Sequence, residues 1–111
     1  MTDQHVVELE GVRLTRLPAG RAEGFVWLTF ICTGEAMTFG RDPEDTWHIK
    51  QHVKVTWPNG DDAEAPSAGG GGGDGLMFFH IAVRDTGAAT VHLAYVDDGI
   101  VVGEEEVVIP A

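Results

Sequence analysis

Gly69-Gly70-Gly71-Gly72-Gly73-Asp74-Gly75, followed by Leu76-Met77-Phe78-Phe79-His80-Ile81-Ala82-Val83-Arg84-Asp85, a turn at Thr86-Gly87, and Thr90-Val91-His92-Leu93-Ala94-Tyr95, is the stretch on which the fold of this chain turns. Both pieces beyond the glycines are rich in β-branched and aromatic residues and bounded by turn formers, the pattern of strands. They are expected to pair as an antiparallel hairpin. Alternation puts Met77, Phe79, Ile81 and Val83 on one face of the first strand, and Val91, Leu93 and Tyr95 on one face of the second. These are the core candidates, together with Trp27. The glycine run has no side chains to pack and loses the most entropy on ordering. It reads as either a slack connector or a loop whose backbone approaches something closely; the slack connector is the expectation, with 62–75 among the most mobile segments.

Composition sets the outer bounds. At 111 residues the chain is one domain, 1–111, large enough for a single core without staples. Seven Lys+Arg against 18 Asp+Glu give a formal charge of −11. That is the sign of phosphate backbones and anionic headgroups, so no nucleic acid or membrane partner is expected. The acidic blocks Asp61-Asp62-Ala63-Glu64, Asp97-Asp98 and Glu104-Glu105-Glu106 are short enough to be solvated surface. The single cysteine, Cys32, follows the apolar run 25–31 and reads as a buried hydrophobe. The first residues, Met1-Thr2-Asp3-Gln4-His5, lack a basic region followed by an apolar one, and 24–32 is too short to span a bilayer, so a cytoplasmic location is expected.

From the start, His5-Val6-Val7-Glu8-Leu9-Glu10 and Val12-Arg13-Leu14-Thr15-Arg16-Leu17 alternate around Gly11, as a bulged strand or two short ones do, until Pro18-Ala19-Gly20 ends the pattern. Residues 19–23 read as a loop. Gly24-Phe25-Val26-Trp27-Leu28-Thr29-Phe30-Ile31-Cys32 is apolar on both faces and is expected to be central and covered on both sides. A short strand is expected at 36–39. Alternation resumes with Trp47, Ile49, Val53, Val55 and Trp57 on one face and His48, Lys50, His52 and Lys54 on the other. Pro58-Asn59-Gly60-Asp61 is a turn, and Val107-Val108-Ile109 a closing strand. About seven to eight short strands, with turn signals roughly every ten residues and no convincing helix, give an all-β, immunoglobulin-like antiparallel β-sandwich.

The order of these features resembles the chagasin-like inhibitors of papain-type cysteine proteases. Gly24-Phe25-Val26-Trp27 is similar to the Gly-Tyr-x-Trp that closes their first inhibitory loop, 69–75 to their glycine-rich second loop, and 79–95 to their next two strands. The resemblance implies an immunoglobulin-type fold with three inhibitory loops at one end and no cofactor. It places the contacts to a papain-like protease at Gly20, Arg21, Ala22, Glu23 and Gly24, at Gly71, Gly72, Gly73 and Asp74, and at Asp97, Asp98 and Gly99. The departures fall in those loops. Where the family carries Asn-Pro-x-Thr this chain has Gly20-Arg21-Ala22-Glu23, and where it carries Arg-Pro-Trp this chain has Asp97-Asp98-Gly99. An anchor and a cation of the kind that dominate interfaces are replaced by anions and glycine. The implied function is inhibition of a papain-type cleft by loop insertion; the alternative is a non-inhibitory module that binds another protein or serves a structural role.

Catalytic signals are weak beside this. Cys32 has no neighbouring histidine to activate a thiolate, so no enzyme activity is expected. His48 and His52 lie four apart and could share one strand face as metal ligands near Asp45; the solvated face is the simpler reading. Asp61, Asp62 and Glu64 lack the ligand spacing of a calcium loop. The glycine run is followed by a strand without the Lys-Ser/Thr of a phosphate cradle.

Overall fold

The computed structural model describes residues 4–9, 11–34, 49–73 and 75–110. In chain order the elements are β1 (His5–Leu9), β2 (Val12–Arg16), β3 (Gly20–Ala22), β4 (Phe25–Thr33), the helical turn α1 (Ile49–His52), β5 (Val53–Thr56), β6 (Ser67–Gly73), β7 (Leu76–Arg84), β8 (Thr90–Asp97) and β9 (Ile100–Val108). They form two antiparallel sheets. The larger has the order β1-β2-β4-β7-β6, with β3 also on β4, and the smaller has the order β5-β8-β9. One apolar cluster fills the space between them, so the chain is an all-β sandwich. The expected strand 36–39, with Trp47 and His48, lies outside the described residues.

Inward parity on the central strands is as the alternation predicts. Phe79, Ile81 and Val83 of β7, with Val91, Leu93 and Tyr95 of β8, are buried. The pairing of those strands is not. β7 pairs with β4 and β6, whereas β8 pairs with β5 and β9, so residues 85–89 cross between sheets and close no hairpin. An apolar face on each strand is satisfied equally by lying side by side or by facing across a core, and periodicity does not separate the two.

β4 is central, yet its two faces are unequally buried. Val26, Leu28, Phe30 and Cys32 point into the core, while Phe25, Trp27 and Ile31 lie half-buried on the outer face. Trp27 is therefore on the opposite parity from the one expected. Its ring packs near Phe25 and His80 at centroid separations of 6.2 and 5.7 Å, and its Nε1 donates to the Ala22 carbonyl at 3.0 Å. The edge beside β4 is formed by β2 and β3 together. Arg16 pairs with Phe30 and Gly20 with Trp27, so Leu17, Pro18 and Ala19 face Leu28 and Thr29, a one-residue bulge. Pro18, having no N–H to give, sits where pairing is interrupted.

The glycine run is a strand. Ser67–Gly73 pairs with β7 along seven positions, from Ser67 opposite Ala82 to Gly73 opposite Leu76. Slackness was expected because glycine carries the largest ordering entropy. β7 nevertheless offers a preformed ladder, and backbone hydrogen bonds need no side chain. Residues 49–52 likewise depart from the expected strand: they make one helical turn, which buries Ile49 and delivers the chain to β5.

The sheets are also joined by ions. Arg16 of β2 and Glu105 of β9, both nearly sealed from solvent, meet through Nε to Oε2 at 3.0 Å and Nη2 to Oε1 at 2.6 Å. The hydroxyl of Tyr95 on β8 donates to the same carboxylate, and the ring of His5 stacks on Tyr95 at 5.7 Å. Burial and the carboxylate beside it push the Tyr95 hydroxyl well above its usual pKa, so it stays a donor. Removing one partner strands the other without water. Glu105→Leu alone should cost roughly 3–5 kcal/mol, while the double substitution Arg16→Met/Glu105→Leu should recover most of that loss in urea unfolding.

Candidate functional site

Of the twelve residues expected at a binding surface, the eleven that the structure describes occupy three hairpins. Gly20, Arg21 and Ala22 form β3, paired with Trp27, Val26 and Phe25, so residues 19–23 are no open loop. Glu23 (φ 57°) and Gly24 (φ 83°) make the connecting two-residue turn, both in left-handed conformations suited to the twist of a hairpin. Gly71, Gly72 and Gly73 are in β6 and Asp74 lies outside the described residues. Asp97 ends β8, and Asp98 (φ 53°) with Gly99 (φ 77°) turns the chain into β9. Tight turns of this kind present few groups and resist deformation.

The structure does not gather the three tips. Gly24 lies beside Asp85, whose N–H donates to its carbonyl at 3.0 Å; Gly75 lies beside Gly34, whose N–H donates to its carbonyl at 3.3 Å. Between them runs the β4–β7 ladder from Phe25 opposite Arg84 to Thr33 opposite Leu76. That is roughly 26 Å at about 3.3 Å per residue. β8 starts at the Gly24 end, because Ile109 N–H bonds the Ala89 carbonyl at 2.8 Å and Arg21 reaches Asp85, Ala88 and Pro110. It runs away from there to Asp98-Gly99. The second and third tips thus share one end, and Glu23-Gly24 stands at the other.

Arg21 is a clamp at its own end. Its guanidinium bonds the Asp85 carboxylate and the carbonyls of Ala88 and Pro110. The Gly87 N–H, then Arg21, hold the Asp85 carboxyl below its usual pKa. This explains the arginine structurally, as the tie between β3 and the sheet crossing.

Candidates for chemistry fare as their surroundings dictate. Cys32 is buried between the sheets, and burial pushes its thiol up to about 12, so no thiolate forms near neutral pH. His52 sets Nδ1 3.0 Å from the Val96 carbonyl, while His48 and Asp45 lie outside the described residues. Asp61 closes an Asn59 turn, with Asn59 Nδ2 donating to it at 3.0 Å. Among the described residues no group of three His, Cys, Asp or Glu could hold a metal ion, and no helix is long and apolar enough to cross a membrane.

The sequence places a closing strand at Val107-Val108-Ile109; β9 begins earlier, and its start is the feature not expected as a site. Ile100, Val101 and Val102 are three consecutive apolar residues exposed at 66%, 53% and 47%. Val102 is the extra residue of a bulge, since Tyr95 pairs with Gly103 but Val96 with Val101. β9 ends the smaller sheet, and among the described residues no strand pairs with its outer edge. Asp97 and Asp98 flank the apolar triad on one side, and Glu104 and Glu106 on the other. Those two glutamates share the outer face with His92, whose Nδ1 is 2.8 Å from Glu106 and Nε2 3.3 Å from Glu104. Glu106 first, and then Glu104, raise the pKa of His92 above its ordinary value. The sequence shows an apolar run beside the Glu block; its exposure, unusual for consecutive apolar residues unless something covers them, is a property of the fold.

Comparison of the chain with protein families, with curated proteins and with solved structures finds no match.

Two expectations follow from the geometry. A Cβ at Gly70 would stand 2.2 Å from the Phe78 carbonyl oxygen, whereas one at Gly71 meets nothing within 4 Å. Gly70→Ala should therefore cost about 1–3 kcal/mol in urea unfolding and Gly71→Ala should be neutral or slightly stabilising. His92, with its folded pKa raised, adds stability that is full below its unfolded value near 6.5 and fades as pH rises through the folded value. The urea midpoint should fall between pH 6 and pH 8.5, and His92→Gln should flatten that fall.

Proposed function

We propose that this chain is a non-catalytic, cofactor-free binding module that takes up an extended segment of a partner protein along the outer edge of β9. The observation that carries the reading is the exposed Ile100-Val101-Val102 run on an edge strand with which no other described strand pairs. Such an edge offers backbone donors and acceptors in register, so an added strand gains a ladder of hydrogen bonds while its side chains cover the apolar triad. The carboxylates of Asp97, Asp98, Glu104 and Glu106 frame the triad and set the partner's chemistry: apolar at the centre, Lys or Arg at both flanks.

A second reading, inhibition of a papain-type protease, is favoured by one observation: the tips at Gly75 and Asp98-Gly99 share an end. A wedge of those two tips would omit Glu23-Gly24. Titration with a peptide of alternating Val and Thr flanked by Lys separates the readings. Strand addition predicts binding with new amide-exchange protection in 100–106, at least tenfold weaker with Glu flanks and lost in Val101→Lys. Inhibition of papain that survives Val101→Lys, with no such protection, would favour the wedge.

A further inference from the structure

We propose that the cleft on the opposite edge of the smaller sheet, between β5 and the segment 61–66, is a binding site for a small amphiphilic monoanion: a short apolar chain carrying one carboxylate. This site is separate from the β9 edge and does not depend on it. The cleft has a volume of about 320 Å³ and is walled by Val53, Val55, Ala63, Ala65 and Ile81, with Lys50, Lys54 and Asp62 also lining it.

Its origin is a packing shortfall with defined walls. The Ala63 N–H donates to the Val55 carbonyl at 3.0 Å and Thr56 bridges to Asp62, so the segment first follows β5. It then leaves for the larger sheet, where the Arg84 N–H donates to the Glu64 carbonyl at 2.9 Å. Ala63 and Ala65 are the side chains beside the gap, and they are too small to fill it. The result is a concave apolar space of the size small ligands occupy.

The charges give it selectivity. Lys50 and Lys54 are the chain's two lysines, and both line this cleft. Among the described residues every arginine is ion-paired: Arg13 with Glu8, Arg16 with Glu105, Arg21 with Asp85 and Arg84 with Glu64. Neither lysine has a carboxylate partner there; Lys50 Nζ instead donates to the Ala65 carbonyl at 3.2 Å, which draws its side chain across the cleft. Among the described residues that line the cleft, two ammonium groups stand against the one carboxylate of Asp62, a balance of one positive unit in a chain of net charge −11. A monoanion balances it. A dianion would exceed it and add repulsion from Asp62. The apolar walls call for a hydrocarbon body, and the lysines at the rim for a head that stays wet on one side.

Octanoate is the probe. Titration followed by amide chemical shifts should move 50–55, 62–66 and 81, and leave 100–106 unchanged. Lys50→Gln/Lys54→Gln, with both substituted side chains exposed, should fold normally and bind octanoate at least tenfold more weakly. Ala63→Leu should fill the space and abolish binding without lowering the urea midpoint. 1-Octanol, lacking the anion, should bind at least tenfold more weakly than octanoate. Equal octanoate affinity in the lysine variant, equal affinity for 1-octanol, or shifts confined to surfaces outside the cleft would each overturn the proposal.

Discussion

The structure depends on one buried charge pair. Glu105 stands between Glu104 and Glu106 in sequence, yet it alone of the three turns inward, to Arg16 and Tyr95. A carboxylate without water remains ionised only with a cation and donors in fixed positions. Three strands from two sheets must therefore meet at one point, and that sets which face of β9 is inside. Val107 follows on the inner parity and is buried, whereas Glu104 and Glu106 project outward beside His92. An apolar core tolerates sliding of one sheet over another more readily than a bidentate ion pair does.

Around that pin, β4 and β7 form the spine, and the edges are treated differently. β2 and β3 adapt to one edge of β4 by a bulge at Pro18, while β6 lies against β7 as almost bare backbone. Phe78 and Leu76 are exposed on the outer face because the strand residues opposite them are Gly71 and Gly73, which have nothing to lay over them. Gly70 shows the other side of this arrangement. A side chain there would run into the Phe78 carbonyl, so close approach of β6 to β7 requires its absence.

The smaller sheet is electrically uneven. β9 carries carboxylates on either side of an apolar run, and β5 at the other edge adjoins the chain's two lysines. With β8 between them, the two edges suit opposite ligand chemistries: a basic-flanked strand on one, a small monoanion on the other. Local charge, rather than the total of −11, decides what each edge attracts, because screening limits the reach of exposed charges to about 8 Å at physiological salt.

Residue order alone is enough for the strand character of most of the chain, the inward parity of Phe79, Ile81, Val83, Val91, Leu93 and Tyr95, and the burial of Cys32, since alternation and residue type act within a few residues. It did not determine partners. That β7 and β8 part into different sheets, that Gly69 through Gly73 pair as a strand, and that Trp27 faces outward all follow from what lies across a ladder or a core. So do the separation of Glu23-Gly24 from Gly75 and Asp98-Gly99, and the meeting of Lys50 and Lys54 with Ala63 and Ala65 at one cleft. Side-chain pattern fixes which face of a strand is apolar; only tertiary structure decides which neighbour that face meets, because the same alternation satisfies a hairpin and a sandwich alike.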